Sequence, residues 1–334
     1  MSAMNNPNEL EKLFRSMTVV SAEVGAIQAQ TLLDGCLYVA VNADGDYLCL
    51  VDDKREIANP PRRLKVISVD YGLKYKAIVD GVDLSGKFTV LKLSALHSEL
   101  LLSFCSLLSL LSSSLGPNPS PMNLQRFVED FIELFSPKAG DPRERIKGLF
   151  GELSVIKASQ SRAAFIEAWH DNANANKDFS FPKAFLEIKT SEGKVRKHEF
   201  SATQLQSPFE GKQVLVGSVL IEEDPQGETV FQLLGSLQLG MDHALQVKLI
   251  KLAFDTLGLD AEEAHEIKWS VSGGWQGIWI VAASELPAPY VDEADPKRAA
   301  ISNVSFSLNF EILSASGVGF LQLPEVETFL HQVA

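Results

Sequence analysis

Asp178-Phe179-Ser180-Phe181-Pro182-Lys183-Ala184-Phe185-Leu186-Glu187-Ile188-Lys189-Thr190-Ser191 is the stretch whose reading decides the fold. It sets an acidic residue nine positions before the glutamate of a Glu-x-Lys triplet, and the triplet lies in the apolar run Ala184 to Lys189. Side chains alternate faces along a strand. Phe185, Glu187 and Lys189 therefore share one face, and Leu186 and Ile188 take the other, which reads as core. A carboxylate and an ammonium inside a segment apolar enough to be central in a sheet are expected to be paired or to have a task.

Asp178, Glu187 and Lys189 suit metal-dependent hydrolysis of a phosphodiester. A hard cation such as Mg²⁺ takes oxygen ligands from carboxylates, backbone carbonyls and water. Asp178 and Glu187 offer two carboxylates, and Ile188 offers a backbone carbonyl between them. The cation polarises the phosphate and acidifies a water. Lys189, a compact point charge, is suited to orient that water or to meet charge developing on the phosphorus centre. Upstream, Ile146, Leu149, Phe150 and Leu153 make an i, i+3, i+4, i+7 stripe. Glu152 borders that stripe, either as a third site carboxylate or as an ordinary boundary residue of an amphipathic helix.

The wider chain frames this reading. It has 334 residues, 46% of them apolar, and a formal net charge of −13. That balance argues against a generic nucleic-acid coat. Charge is uneven, however. Residues 138–212 hold 13 Lys+Arg against 10 Asp+Glu, while the remainder holds 17 against 33. Cys36, Cys49 and Cys105 show neither metal-ligand spacing nor a disulfide framework, and read as buried thiols of a cytoplasmic protein. The N-terminus lacks a signal-peptide pattern. The apolar stretch from Leu100 to Leu115 contains six serines, is shorter than a bilayer span, and reads as a buried helix.

Residues 30–95 read as short strands, with Leu37–Val41 and Tyr47–Val51 forming a hairpin around Asp44-Gly45. Lys65–Val69 and Lys87–Leu91 continue the pattern, and residues 95–114 turn helical. Gly116-Pro117-Asn118-Pro119-Ser120-Pro121 is the clearest linker. Helices are expected over 122–136 and 141–170, the second with Asp141 as N-cap and Pro142 at the first helical position. Gln213–Glu222, Thr229–Leu239, Trp269–Ala282 and Val304–Leu313 read as strands, and Leu245–Leu257 as a helix. Glu222-Glu223-Asp224 before Pro225-Gln226-Gly227 reads as a solvated hairpin tip, and Ser272-Gly273-Gly274-Trp275 as a turn. Two domains are expected: a β-rich module ending in a helix over 1–115, and a mixed α/β domain over 122–334 with its core at about 141–222. His170 reads as a cap or turn neighbour rather than a base.

The spacing alone is weak, but order and setting strengthen it. A helix bearing Glu, a short strand with Asp, an apolar strand with Glu-x-Lys and a helix start follow one another. This resembles the PD-(D/E)XK nuclease superfamily. The phrases Gly148-Leu149-Phe150-Gly151-Glu152-Leu153, Ala168-Trp169-His170, Asp178-Phe179 and Glu187-Ile188-Lys189-Thr190-Ser191 resemble a bacterial branch often encoded beside restriction and phage-defence genes. The resemblance implies an α/β (mixed α+β) restriction-endonuclease-like core preceded by a β-rich N-terminal module. It implies Asp178, Glu187 and the Ile188 carbonyl as metal ligands, Lys189 as catalytic lysine and Glu152 as accessory acid, with Mg²⁺ or Mn²⁺ as cofactor. Arg196, His198 and Gln204 are the expected phosphate contacts. Lys177 stands where the motif has proline. DNA is the expected partner, with an ATPase, helicase or other defence protein beside it, a homodimer left open, and no membrane. A non-catalytic scaffold of the same fold is the competing reading, and RNA the competing substrate.

Overall fold

A computed structural model describes residues 7–17, 27–54, 59–64, 66–79, 82–113, 115, 118–134, 138–170, 177–206, 211–287 and 304–330. The chain divides into two compact units, Met1–Ala139 with Ala253–Glu262, and Gly140–Leu252 with Glu263–Ala334. Gly116 and Pro117 of the expected linker, and residues 135 and 136 of the expected helix, lie outside the described residues.

The first unit opens with α1 (Pro7–Ser16) and a sheet of β1 (Ile27–Leu33), β2 (Leu37–Val41), β3 (Tyr47–Asp52), β4 (Arg62–Arg63), β5 (Ile67–Val79) and β6 (Val82–Leu93). Its order is β1-β2-β3-β6-β5-β4, and β1 also pairs with β5 in parallel. That extra pairing joins five strands into a ring around Ala29, Tyr38, Ala40, Leu48, Leu50, Ala77, Phe88 and Val90. A closed ring removes exposed strand edges. The serine-rich apolar stretch becomes α2 (Leu101–Ser113), buried over most of its length, with α3 (Pro121–Leu134) packed against it. No helix among the described residues is long and apolar enough to cross a membrane. All three cysteines are free and buried.

The second unit begins with α4 (Pro142–Ala158), capped as expected by Asp141, whose side chain accepts from the Arg143 amide at 3.0 Å. There follow α5 (Arg162–Ala168), β7 (Phe179–Ser180), β8 (Ala184–Glu192), β9 (Lys197–Ser201), a 3-10 turn (Ala202–Leu205) and β10 (Gln213–Glu228). Next come α6 (Val230–Gln238), then α7 (His243–Leu257) and α8 (Ala261–Glu266), whose residues 253–257 and 261–262 count with the first unit, and then β11 (Trp269–Val271), β12 (Ile278–Ala282), β13 (Ser305–Asn309), α9 (Phe310–Ala315), β14 (Leu321–Gln322) and α10 (Leu323–Leu330). The main sheet runs β14-β12-β10-β8-β7, with β11 on β10. β8 and β10 are parallel, and β7 and β8 antiparallel. The molecule is mixed α/β, and residues 142–228 run helix, helix, strand, strand, strand, 3-10 turn, strand, with the turn where a second core helix was expected.

Four readings are corrected. The helix expected over 141–170 is two helices, broken at Ser159-Gln160-Ser161, where the Ser161 amide turns to Ser159 Oγ and the Gln160 amide to the Glu327 carboxylate. Thr229–Leu239 is helical. Thr229 and Gln232 form a reciprocal capping box, and Val230, Leu233, Leu234 and Leu237 make a buried helical stripe that outweighs β-like composition. Trp269–Ala282 forms β11 and β12 on either side of the turn expected at Ser272–Trp275, where Gly273 and Gly274 both have positive φ. Val304–Leu313 becomes helix at Phe310, because the Asn309 side chain accepts from the Glu311 and Ile312 amides. The expected tip at Glu222–Gly227 lies within β10. This part of β10 reaches α4: Glu223 pairs with Arg143, and Glu228 with Lys157 at 2.6 Å.

Both faces of β8 are covered. Phe185 joins Phe200, Val214, Val216, Val281, Leu308 and Phe310 in one core cluster. On the other face α4 approaches so closely that a Cβ on Gly151 would stand 1.8 Å from Thr190 Oγ1. Glu152 is the next residue of α4, so this contact sets how near that carboxylate comes to the strand. Gly151→Ala should destabilise by about 1–3 kcal/mol, the usual cost of overpacking, as measured by chemical denaturation. Combining it with Thr190→Ala should recover part of that loss; full stability in the single variant would show that α4 can shift freely.

Candidate active site

The site is assembled around β8. The β7–β8 register pairs Phe179 with Leu186 and Ser180 with Phe185, so one residue further Asp178 arrives beside Glu187. Asp178 Oδ2 accepts the Ile188 amide at 2.6 Å. A residue's amide and carbonyl leave an extended strand on the same edge, so the Ile188 carbonyl also belongs to the Asp178 edge. Phe179 and Phe181 anchor the segment from below by packing on Phe165, at 5.6 and 4.9 Å between ring centroids.

Glu152 meets Asp178 by way of a short bridge. Trp169, fully buried after the last turn of α5, donates its indole N–H to Glu152 Oε2 at 2.6 Å. His170 Nε2 lies 3.2 Å from the same oxygen. The His170 backbone amide donates to the Asp178 carbonyl at 2.8 Å. Ligand atoms of Glu152, His170 and Asp178 all fall within 4.8 Å of one another. Opposite ligands on one divalent cation stand roughly 4–5 Å apart, so two carboxylates and an imidazole at this spacing fit such an ion.

Glu187 faces a different set of partners. Glu187 is buried. Oε1 receives Lys189 Nζ at 3.1 Å and the amide of Gln204. Lys189 also stands over the Phe200 ring at 5.4 Å, which fixes its stem against the core. Lys177, at the position of the motif's proline, is buried and donates to the Gln204 carbonyl.

Burial pushes the Asp178 carboxyl well above its ordinary value, and the charges of Glu152 and Glu187 push the same way against the Ile188 amide and Lys189. Burial also raises Glu187, although Lys189 and Lys177 pull it down. Burial lowers Lys177, while Glu187 and Asp178 oppose that shift. The centre is thus a group of carboxylates that favours any added positive charge.

Two expected phosphate contacts are corrected. Arg196 is 4% exposed and spends its guanidinium on the Ser218 carbonyl and hydroxyl, the Gly277 carbonyl and the Trp279 ring. His198 bonds Ser218 Oγ at 2.7 Å, and burial with Arg196 nearby lowers its pKa to about 3. Both are buried: His198 is an inward residue of the alternating β9, and Arg196 stands one residue before that strand. Lys197, between them in sequence, is exposed and lines a groove with Lys189, Lys147 and Ser191. Gln204 does reach the site, through Glu187. The second core helix expected near Ser201 is the 3-10 turn Ala202–Leu205, and residues 207–210 lie outside the described residues.

His170 and Lys177 are the site residues that pattern reading set aside. The signal available for His170 was its place directly after Trp169; a lone histidine at a helix end otherwise looks like a cap. Lys177 was legible only as a missing proline.

A family model described as "Putative PD-(D/E)XK family member (DUF4420)" matches residues 11–284. No curated protein and no solved structure matches the chain.

The crowding has a measurable consequence. A carboxyl held above its free value binds a proton more readily folded than unfolded, so stability falls as pH rises from the ordinary carboxylate range through the raised folded value. Asp178→Asn removes that penalty, and the amide oxygen can still accept the Ile188 N–H. In the metal-free protein this substitution should raise Tm at pH 7.5, with a gain that shrinks towards pH 4. A lower Tm at pH 7.5 would mean that the ionised carboxylate is compensated within the fold.

Proposed function

From the premise that the chain belongs to the DUF4420 family, described as PD-(D/E)XK, we propose that it is a divalent-metal-dependent DNA endonuclease. The observation that carries this reading is the joining of Glu152, His170 and Asp178 into one ligand-spaced group, beside the Lys189–Glu187 pair at 3.1 Å.

In this reading Asp178 and Glu152 hold the cation, Mg²⁺ or Mn²⁺, with the Ile188 carbonyl on the same edge. Bound there, the cation supplies polarisation of the scissile phosphate and acidification of the attacking water. Glu187 does two things: it completes the acidic wall, and it holds the Lys189 ammonium at a fixed place. Gln204 holds Glu187 in turn, so Lys189 is aimed before substrate arrives. The ammonium meets the negative charge that grows on the phosphate in the transition state, where a fixed donor counts for more than in water. Lys197, exposed in the groove shared with Lys189, is the cation placed to receive a flanking phosphate, in the role first expected of Arg196 and His198.

The overall charge of −13 limits unaided attraction to DNA. A partner that delivers DNA, such as an ATPase or helicase, fits that balance, and service in restriction or phage defence fits the branch the motifs resemble.

Supercoiled and linear DNA incubated with Mg²⁺ or Mn²⁺ provides the test. Lys189→Ala should cut about 10²–10³ more slowly, while DNA affinity stays nearly constant, since one charge among several contributes little to phosphate attraction. Glu187→Ala should be as inactive as Lys189→Ala. Equal cutting by Lys189→Ala and wild type would assign the activity elsewhere. No metal-dependent cleavage of DNA or RNA, with or without neighbouring gene products, would favour the scaffold.

A further inference from the structure

Among the described residues, His170 alone of the non-glycines has positive φ, at 45°. A left-handed backbone is unfavourable for an L-residue, so something must hold it there. Two contacts do: Trp169 is locked in the core with its indole on Glu152, and the His170 amide is tied to the Asp178 carbonyl. The result turns the His170 imidazole back over α4, with Nε2 at Glu152 Oε2 and the ligand atoms of His170, Glu152 and Asp178 within 4.8 Å of one another. The ring lies beside the Trp169 indole, 5.5 Å between centroids and tilted by 35°.

We propose that His170 is a nitrogen ligand of the cation, and that it biases the site towards first-row transition cations over Mg²⁺. The inference rests on the metal-site part of the functional reading above and adds a ligand and a selectivity to it. Its chemistry is that of softness and geometry. Mg²⁺ favours an all-oxygen octahedron and gives up water reluctantly. Imidazole nitrogen binds transition cations more strongly, rising from Mn²⁺ to Co²⁺ in the usual order. Two carboxylates alone would hold Mg²⁺ and Mn²⁺ by charge; two carboxylates with an imidazole separate them. The competing account is a histidine that simply hydrogen-bonds Glu152, with no part in binding metal.

The experiment uses the full chain and three cations alone: Mg²⁺, Mn²⁺ and Co²⁺. His170→Asn is the variant of choice, because asparagine tolerates the left-handed backbone that alanine does not. Calorimetry on wild type should show Co²⁺ bound more tightly than Mg²⁺, and His170→Asn should narrow that ratio by about ten-fold or more, with Mg²⁺ affinity little changed. Pulsed electron paramagnetic resonance on Mn²⁺-loaded wild type should show coupling to an imidazole nitrogen, absent in His170→Asn. A wild-type spectrum without nitrogen coupling, no Mn²⁺ binding, or a Co²⁺ to Mg²⁺ ratio unchanged in His170→Asn would each overturn the assignment. DNA cleavage is scored separately. Cutting without nitrogen coupling refutes the ligand and spares the nuclease. Nitrogen coupling without cutting, with neighbouring gene products present as well as absent, supports the ligand and refutes the nuclease.

Discussion

The hydrogen bond from the Ile188 amide to Asp178 is the constraint on which the site depends. It fixes a carboxylate against the edge of the central strand, one residue from Glu187. A charge-assisted bond of this kind contributes about 1.5–3 kcal/mol, yet Asp178 still favours its proton, because burial and two neighbouring carboxylates act against a single N–H. The geometry is therefore held by the fold while the charge is left in excess. Such an arrangement is at ease only when positive charge sits among the oxygens, which is a reason to read the cluster as a metal site rather than as a structural network.

Charge around β8 falls into two groups. Glu152, His170 and Asp178 form one, and Glu187, Lys189, Lys177 and Gln204 the other. They are electrically coupled, since Glu152 raises both Asp178 and Glu187. On the proposed reading the first group holds the ion and the second holds the ammonium. Each side chain is kept in place by another that does not itself react: Trp169 for Glu152, and Gln204 for Glu187. The two groups meet at β8 and at the Lys177–Asp178 step, so the register of Asp178 against the strand sets the distance between the ion and the ammonium.

Much of this was legible from residue order. Nine positions from Asp178 to Glu187 is the separation that an antiparallel β7–β8 pair converts into proximity, and Asp141-Pro142 announces the start of α4 without ambiguity. What escaped reading depends on long-range contacts. Arg196 and His198 look like exposed phosphate ligands in a basic stretch, and only Ser218, Gly277 and Trp279, distant in sequence, show why they turn inward. His170 looks like a helix terminator until Glu152 and Asp178 are placed around it. Val230 to Leu237 illustrates a local failure: its apolar content suggests a strand, and the capping pair Thr229 and Gln232 was the sign to the contrary.

The C-terminal elements bear on how portable the motif is. β13 pairs along β9, the Phe310 amide closes on the Arg196 carbonyl, and Leu308 and Phe310 complete the cluster under Phe185. Glu327 holds the turn between α4 and α5 that leads to Trp169. All of these lie beyond residue 284, where the family match ends. A cassette trimmed to the recognisable motif would carry every acidic and basic side chain of the site yet leave Phe185 and Phe200 bare. Transplanted to another protein, it would behave as a sticky peptide long before it behaved as an enzyme.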